Sequence, residues 1–408
     1  MTSSSSPHVL IAGAGLGGLA LAQALRKQGI SYEIFERDEN QRERRPGWVI
    51  GLHHMLDDLK ESIPDDLPPI SSLSNLLPLT KYQPEVVYYN PEKPNQPKIG
   101  VRGDESGWIV RAARHKIVGW LETHISVQYN KKIEKIEEGD DKVKIYFQDG
   151  TSAEGDILVG AEGSRSVTRK HILGQDPIRT PPVGFIDGHC TLRGEELDEQ
   201  LRLGHSLYIV DMNSINGSPM IFLVTLIEMN PDGDSGQIGW ALIWPDDDAT
   251  KEDYWTYHAT GQELYDYTVN KTKDLPAKFL TTIKRSDPRS TLPVLRLYTL
   301  VIDSMPTGRV TLLGDAAHAM TPFRGEGGYH AISDALNLAR AIRKINKDDI
   351  NRIKEVFGPY QAEMLKTGRE AAKLSEEAFS KKREVGSTEF YYAWGRRMGP
   401  LPDEDQAQ

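Results

Sequence analysis

Val9-Leu-Ile-Ala-Gly13-Ala-Gly15-Leu-Gly-Gly18, near the start of this 408-residue chain, is the stretch that decides the fold. Its first residues form a short apolar run, which is typical of a strand buried in a parallel sheet. Glycines then follow at G-x-G-x-x-G spacing, and Leu16 to Leu25 show the apolar periodicity of a helix closed by Gly29. The glycines allow a tight turn, a close approach of pyrophosphate and close contact between helix and strand. We therefore predict that Gly13, Gly15, Leu16 and Gly18 contact the phosphates of a dinucleotide, at the positive end of that helix.

The next segment supports a dinucleotide without a 2′-phosphate. Tyr32-Glu-Ile-Phe-Glu36 predicts the second strand, and Glu36 follows Gly18 by 18 residues, close to the ~20 expected for an acid that binds ribose. A carboxylate at this position repels a 2′-phosphate. Arg37 is a further candidate because an arginine there can receive such a phosphate. The alternative for Arg37 is a solvated charge or a partner for Glu36.

A second signal lies about 300 residues downstream, in Val310-Thr-Leu-Leu-Gly314-Asp315-Ala-Ala-His318. The apolar run predicts another buried strand, and Gly314 lets the backbone turn sharply against a ligand. Asp315 at the end of that strand is suited to accept hydrogen bonds from ribityl hydroxyls. FAD is the dinucleotide that has both a pyrophosphate and a ribityl chain, so the two motifs together predict a flavoprotein. An ordinary turn at the end of a strand is the alternative for Gly314-Asp315 alone.

The loop after this motif predicts an anion site. Met320-Thr-Pro-Phe-Arg-Gly-Glu-Gly-Gly328 is too rich in glycine and proline for regular structure, and it leads into a helical pattern from Tyr329 to Arg340. Aimed at the N1–C2=O edge of a flavin, such a loop stabilises the negative charge of the reduced ring. The candidate residues in it are Pro322, Gly325, Gly327 and Gly328. Glu326 adds a carboxylate that faces either the substrate or solvent.

Three further segments contain candidates with open alternatives. Asp156-Ile-Leu-Val-Gly-Ala-Glu162-Gly163 predicts a strand that runs into a glycine turn, and one more strand-to-helix connection is its alternative. Trp108 to Arg114 is interpreted as the opening of a helix, where Arg111 is electrostatically unfavourable unless it meets an anion such as pyrophosphate. An exposed salt bridge is the alternative for Arg111. Arg45, Gly47 and Trp48 are candidates to border the flavin or the NADPH path, with an ordinary loop as the alternative.

Composition excludes several classes of protein. The formal net charge of −10 argues against nucleic acid or an anionic membrane as partner. A single cysteine, Cys190, forbids an intramolecular disulfide or a Cys-x-x-Cys redox centre, which removes the pyridine-nucleotide disulfide reductases, and it is interpreted as a small buried hydrophobe. The longest apolar run, Ile221 to Ile227, is far shorter than the ~18 residues of a membrane span. Met1 to Ser6 lack the apolar core of a signal peptide, so we expect a cytoplasmic protein, with no metal site predicted.

These motifs, in this order, resemble those of the single-component FAD-dependent monooxygenases related to para-hydroxybenzoate and salicylate hydroxylases. The resemblance extends from Val9 to about Leu374 and depends on Gly13–Gly18, Asp156–Gly163, and Gly314–His318 with the Pro322 loop. It implies an α/β fold: a Rossmann-like FAD-binding domain with an inserted antiparallel β-sheet substrate domain and C-terminal helices. The expected segments are FAD-binding at 1–78, 104–180 and 296–345, substrate domain at 79–103 and 181–295, and a helical region with a tail at 346–408. Strand patterns at 207–210, 220–227 and 237–244 agree with an antiparallel meander, and 262–283 and 352–384 are predicted to be helical.

The resemblance also implies roles for individual residues. Glu36 binds the adenosine ribose, Arg111 approaches the flavin, Asp315 holds the ribityl chain, and the Pro322–Gly328 loop lies along the isoalloxazine. The middle motif usually contains Asp-Gly and is tied to both flavin and nicotinamide binding, whereas this chain has Glu162-Gly163. NADPH binds transiently, since no second G-x-G-x-x-G motif is present.

The leading hypothesis is an enzyme that uses FAD, NADPH and O₂ to hydroxylate or epoxidise an electron-rich aromatic or alkene small molecule through a flavin C4a-hydroperoxide. No catalytic base is assigned: His53, His54, His189 and His330 are candidates that each have a structural alternative, and His318 is interpreted as support for the loop. Three alternatives stay open: Baeyer–Villiger oxygen insertion, a flavin-dependent reductase that does not use oxygen, and a flavin-binding scaffold without activity. Tailoring of a secondary metabolite is favoured over catabolism, and a monomer or weak homodimer is expected.

Overall fold

The computed structural model describes residues 6–40, 48–53, 55–74, 84–91, 98–103, 109–213, 219–293, 296–345, 350–378, 392–393 and 396–401. Its contacts divide the chain into two compact units. The first unit comprises Met1–Ile70, Arg114–Arg179 and Tyr298–Ser375. The second unit comprises Ser71–Ala113, Thr180–Leu297 and Glu376–Gln408. The chain therefore passes between the two units several times.

The described strands, numbered in chain order, are β1 Val9–Ala12, β2 Tyr32–Phe35, β3 Val49–His53, β4 Glu85–Tyr89, β5 Ile99–Arg102, β6 Ile109–Ala113, β7 Val127–Gln128, β8 Ile133–Glu138, β9 Val143–Phe147, β10 Ser152–Gly155, β11 Ile157–Gly160, β12 Val183–Arg193, β13 Leu207–Asp211, β14 Ile221–Met229, β15 Ser235–Pro245, β16 Leu292–Pro293, β17 Val310–Leu312, β18 Tyr392–Ala393, β19 Arg396–Arg397 and β20 Gly399–Pro400. The described α-helices are α1 Leu16–Gln28, α2 Leu56–Ser62, α3 Arg114–Glu122, α4 Val167–Leu173, α5 Gly194–Leu203, α6 Gly261–Thr272, α7 Thr281–Arg285, α8 Asp315–His318, α9 Gly327–Ile342 and α10 Ile350–Glu377. No described helix is both long enough and apolar enough to cross a bilayer.

The first unit is built on a parallel sheet in the order β17-β11-β1-β2-β7. The central strand β1 is fully buried, as its apolar sequence predicts. A second sheet of this unit is antiparallel, in the order β10-β9-β8, and it was not predicted from the sequence. Side chains from the two sheets pack together in one hydrophobic core. Helix α1 packs against α9, and Gly29 ends α1 in the left-handed conformation that was expected of it.

The second unit is built on a sheet in the order β16-β12-β15-β14-β13-β4-β5-β20. The antiparallel meander predicted from the sequence is confirmed as β13, β14 and β15. The partner of β15 on its other side is β12, an 11-residue strand that the sequence analysis did not identify. Cys190 lies in β12 and is buried, and this burial raises the pKa of its thiol to about 12. The expected apolar role of Cys190 is confirmed.

Two predicted helices differ in extent from the structure. The segment 262–283, predicted to be helical, is interrupted after Thr272, because Pro276 cannot continue the hydrogen-bond ladder. Thr260 and Glu263 form a capping box at the start of α6. Helix α10 begins at Ile350 and is described to Glu377, so the last predicted helical residues lie outside the described part of the chain.

Candidate active site

The sequence-predicted acids lie at one edge of the parallel sheet. In the strand register, Ala12 is level with Phe35 and with Gly160, and Gly160 is level with Leu312. The residues that follow these strands therefore meet at the carboxyl edge of the sheet. That edge is where open α/β sheets bind their ligands. Glu36, Glu162 and Asp315 each enter it from a different strand.

The glycine-rich turn after β1 requires glycine at the positions where its sequence predicts it. Gly13 adopts φ +102°, and a Cβ on it would collide with the carbonyl oxygen of Ala161. A Cβ on Gly18 would collide with the carbonyl oxygen of Gly13. Gly15 is the N-cap of α1, which has no capping side chain and no acidic residue in its first turn. This helix end offers backbone N–H groups and a positive dipole to an anion.

Glu36 is buried and shapes this turn directly. Its Oε2 accepts a hydrogen bond from the backbone N–H of Ala14 at 2.8 Å, and its Oε1 accepts from those of Arg37 at 2.9 Å and Asp38 at 3.2 Å. The carboxylate therefore joins the end of β2 to the turn after β1. Arg37 is exposed, with its Nε 3.8 Å from a carboxylate oxygen of Asp38. Contact of Glu36 or Arg37 with a nucleotide stays a prediction.

Asp315 presents a carboxylate without a partner among the described residues. Gly314 turns the chain at φ +58°, and Asp315 begins α8 directly after the turn. The residue is accessible to water, yet the surrounding protein desolvates it and raises the pKa of its carboxyl, a shift that the positive charges of His318 and Arg114 oppose. No hydrogen bond or ion pair of this carboxylate is found within the described chain. This carboxylate is a strong hydrogen-bond acceptor, and a ligand with hydroxyl groups can supply the donors that it needs.

The Pro322–Gly328 loop adjoins Asp315. A Cβ on Gly327 would lie 3.9 Å from Oδ1 of Asp315, and a Cβ on Gly328 would lie 3.3 Å from a methyl carbon of Leu16 at the start of α1. Gly325 adopts φ +67°, which favours glycine. The loop ends at α9, whose N-terminus also has no side-chain cap and no acid in its first turn. Both helix ends therefore border the same edge of the sheet.

Charged and hydroxyl groups fix the loop internally. Arg324 donates from Nε to Oε2 and from Nη2 to Oε1 of Glu326, both at 2.9 Å, and these side chains are 13% and 12% exposed. The sequence left open whether Glu326 faces the substrate or solvent, and in the structure its carboxylate is bound by Arg324. At the start of the loop, the hydroxyls of Thr321 and Ser375 lie 2.7 Å apart, which ties the loop to α10.

Glu162 supports α4 in this structure. Its Oε2 accepts from the Ser166 hydroxyl at 2.6 Å, and its Oε1 accepts from the backbone N–H of Thr168 at 3.0 Å and from the Thr168 hydroxyl at 2.6 Å. The Ser166 hydroxyl in turn caps α4. These hydrogen bonds stabilise the first turn of α4. A contact of Glu162 with the cofactor stays a prediction.

Sequence reasoning missed Arg169, which links two of the motifs. Its guanidinium is fully buried and pairs with Asp176 at 2.8 Å. It also donates to the carbonyl oxygens of Ser164 at 2.7 Å and Ala316 at 3.2 Å. The sequence gives no spacing signal for this role, because Arg169 and Ala316 are 147 residues apart.

The prediction that Arg111 lies at the start of a helix is wrong. Arg111 lies in β6, because Ile109 and Val110 begin a strand in which every residue is buried, and α3 begins only at Arg114. Its guanidinium belongs to the second unit, where it donates to the Leu226 carbonyl at 2.7 Å and to the Thr225 hydroxyl. Burial lowers the pKa of Arg111 to about 9. Its expected approach to the flavin stays a prediction.

The candidate histidines lie in different environments. His53 ends β3 and stacks on Tyr329 with a ring-centroid distance of 5.4 Å. His189 is exposed on β12 of the second unit. His330 lies 6.0 Å from the ring of His318, and its burial together with the charge of His318 lowers its pKa. Gly47, Arg45 and His54 lie outside the described residues.

Known proteins are similar to this chain over most of its length. A family model for an FAD binding domain matches residues 120–363, and one for an NAD(P)-binding Rossmann-like domain matches residues 11–41. An FAD-dependent monooxygenase of Trichoderma harzianum is 38% identical, with 91% of this chain and 92% of that protein covered. A probable FAD-dependent monooxygenase of Arthroderma benhamiae is 30% identical, with 99% and 98% covered. The structure of 2,6-dihydroxypyridine-3-hydroxylase from Arthrobacter nicotinovorans is similar with a TM-score of 0.72 at 19% identity, over 98% of this chain and 100% of that one.

Proposed function

From the premise that this chain belongs to the FAD-dependent monooxygenase family, we propose that it uses NADPH and O₂ to hydroxylate or epoxidise an electron-rich aromatic or alkene small molecule. One oxygen atom enters the product, the other leaves as water, and NADPH is oxidised. The relatives named as monooxygenases and the hydroxylase of a dihydroxypyridine with the same fold support the reaction class. NADPH as the reductant rests on the resemblance of the motifs.

The observation that supports this proposal best is the complementarity of two groups at the carboxyl edge of the sheet. The uncapped N-terminus of α1 follows β1, and the carboxylate of Asp315, without a partner in the described chain, follows β17. One strand, β11, lies between β1 and β17 in the sheet. An array of donors and a strong acceptor so arranged fit the diphosphate and the ribityl hydroxyls of one FAD molecule.

In this proposal the residues of the first unit bind and orient the cofactor. The backbone N–H groups from Gly15 onward hold the diphosphate, because α1 begins there without a capping side chain. Asp315 accepts hydrogen bonds from the ribityl chain, and Glu36 borders the adenosine ribose. The N-terminus of α9 directs its positive dipole at the flavin end.

FAD held by these residues would supply the oxygen-activating chemistry of the reaction, with NADPH as its reductant. The protein has to position the substrate and exclude water from the reacting atoms. No side chain is assigned as the base that deprotonates a phenolic substrate. The ring of the candidate His330 lies 6.0 Å from that of His318, and its lowered pKa keeps it neutral at physiological pH.

Reconstitution followed by isotope labelling tests the proposal. The protein is loaded with FAD and mixed anaerobically with NADPH, with and without phenolic and alkene compounds, while the visible absorption of oxidised flavin is followed. Compounds that accelerate the bleaching are then incubated with the FAD-loaded protein, NADPH and isotope-labelled O₂, and the masses of the products are measured by mass spectrometry. The proposal expects one labelled oxygen atom per product.

Each of the other possible outcomes supports a different alternative function or contradicts the proposal. Label inserted beside a ketone carbonyl, with no label in phenols or alkenes, indicates Baeyer–Villiger chemistry. Full turnover without O₂ indicates a reductase. Failure of the protein to take up FAD contradicts the proposed cofactor site itself.

A further inference from the structure

The order of the strands indicates which end of FAD would lie at the Pro322–Gly328 loop. Glu36 follows β2 and Asp315 follows β17, on opposite sides of β1 and its glycine-rich turn. FAD is linear, with adenosine at one end, the diphosphate in the middle, and the ribityl chain and flavin ring at the other. If the proposed function is correct, the flavin ring therefore lies beyond Asp315. Gly327, which adjoins Asp315, places the loop at that end.

The loop contains an ion pair that is almost buried. Arg324 and Glu326 form two parallel hydrogen bonds, a geometry that fixes both groups more firmly than a single contact. Each side chain is about seven-eighths buried, so solvent screens the pair less than it screens an exposed one. Glu326 is also the N-cap of α9, and its side chain does not bond to the helix. The carboxylate is therefore bound by Arg324 at the point where the helix dipole emerges.

The charge of this pair matters for a flavin because two-electron reduction places negative charge on the ring. A lone carboxylate at the N-terminus of α9 opposes that charge, whereas the helix dipole favours it. Paired with Arg324, Glu326 contributes no net charge, and the favourable dipole is left uncancelled. We propose that the Arg324–Glu326 pair sets the reduction potential of the bound flavin by neutralising the carboxylate at the start of α9. Both are positioning residues, and the inference rests on the proposed function.

The test measures the reduction potential of FAD bound to the full-length protein and to three variants. Arg324→Gln leaves the carboxylate alone and is expected to lower the potential. Glu326→Gln leaves the guanidinium alone and is expected to raise it. The double variant removes both charges and is expected to return close to the wild-type value. Each single change is expected to alter the ratio of affinities for reduced and oxidised FAD by about threefold to tenfold, and tenfold corresponds to about 30 mV for two electrons.

Two controls separate this effect from simple disruption of the loop. Arg324→Lys keeps the charge and is expected to keep the potential, even if it weakens the fold. The exposed pair Arg352–Glu355 on α10, with an N–O distance of 3.1 Å, supplies matched variants, Arg352→Gln and Glu355→Gln, that should not move the potential.

The outcomes distinguish this inference from the proposed function. Opposite shifts in the two single variants, with recovery in the double variant, support it. Shifts in the same direction, or none, in variants that bind FAD as the wild type does would overturn it while the proposed function stands. Failure of the wild-type protein to bind FAD contradicts both.

Discussion

The Nε2 atom of His318 lies 2.6 Å from Oδ2 of Asp334, and both side chains are buried. The same carboxylate oxygen accepts the backbone N–H of Gly314 at 2.9 Å. Asp334 on α9 therefore holds both the turn that precedes Asp315 and the last residue of α8. On the other side, a Cβ on Gly368 of α10 would collide with the imidazole. The turn that presents Asp315 is fixed from two helices.

We expect Asp334→Asn to destabilise the protein strongly. The change leaves His318 beside a neutral amide in a buried site, and breaking a buried pair by removing one partner costs about 3–5 kcal/mol. Denaturant unfolding of the FAD-free protein measures this loss. Because the turn at Gly314 loosens, FAD affinity should fall as well. A variant as stable as the wild type would contradict the structural role of the pair.

The His318–Asp334 pair also predicts a pH dependence of stability. Burial alone would lower the pKa of His318, but the charge and hydrogen bond of Asp334, with a contribution from Asp315, raise it above its usual 6.5. The folded protein therefore holds this proton more tightly than the unfolded chain does. The resulting stabilisation is complete below pH 6.5 and is lost as pH rises through the folded-state pKa. The difference in free energy of unfolding between wild type and His318→Asn should shrink over that range, and a constant difference would refute the assignment.

Asp315→Asn should lower the affinity for FAD and raise the stability of the FAD-free protein. Desolvation raises the pKa of this carboxyl above 3.8, so the ionised form is unfavourable in the folded, FAD-free protein at neutral pH. Asparagine removes that unfavourable charge, and the thermal midpoint without FAD should rise at pH 7 but not below pH 3.8. FAD affinity should fall about tenfold or more, because charge-assisted hydrogen bonds to the ribityl hydroxyls are lost.

Asp141→Asn provides the matched control for this prediction. Asp141 is exposed on the turn between β8 and β9, and its replacement changes the net charge equally. It should alter neither the thermal midpoint nor FAD affinity. An Asp315→Asn protein that binds FAD as tightly as the wild type would contradict the proposed ribityl contact.

The fold of the first unit could be predicted in those segments where a local apolar pattern stands next to a motif typical of ligand binding. The run from Val9 to Gly18 specifies strand, turn and helix through apolar periodicity and the steric needs of glycine, and the structure has all three. The strand before Gly314-Asp315 was found for the same reason. The β10-β9-β8 sheet was not found, although Val143, Ile145 and Phe147 alternate along β9, because β8 has only two buried positions among exposed charged residues and β10 has only one.

The site was predicted less completely than the fold because pairing in space is not a local property. Arg111 was assigned to a helix start, whereas the burial of Ile109 and Val110 in the second unit makes that segment a strand. The partner of Glu326 is only two residues away, yet its identity depends on the turn at Gly325. Arg169 contacts Ala316, 147 residues along the chain, and no sequence spacing indicates such a contact.

Glu162→Gln should separate a structural role from a cofactor contact. The amide NH₂ cannot accept the hydrogen bonds that Ser166 and Thr168 now donate, and an unsatisfied buried group costs about 1–3 kcal/mol. Denaturant unfolding should show this loss while FAD affinity, measured by fluorescence titration at a temperature where the variant is folded, changes little. A marked loss of FAD affinity at unchanged stability would instead favour the cofactor contact that the resemblance implies.

Arg169→Met should disturb two motifs at once. The guanidinium pairs with Asp176 and bonds to the carbonyls of Ser164 and Ala316, so its removal takes a donor from all three acceptors, of which Asp176 keeps other partners in Lys170 and Ile178. We expect a loss of about 3–5 kcal/mol in the free energy of unfolding, as for other broken buried pairs. Arg169→Lys keeps the charge but cannot reach all three acceptors with a planar fork, and its loss should be intermediate.

Because Ala316 directly follows Asp315, FAD affinity should fall together with stability in the Arg169→Met protein. Arg165→Met is the matched control, since Arg165 is exposed in the turn just before α4 and its removal changes the net charge equally. Denaturant unfolding and FAD titration of both variants measure the contrast. Equal effects of the two substitutions would mean that charge alone, and not the bonds from Arg169 to Ser164 and Ala316, supports this edge of the sheet.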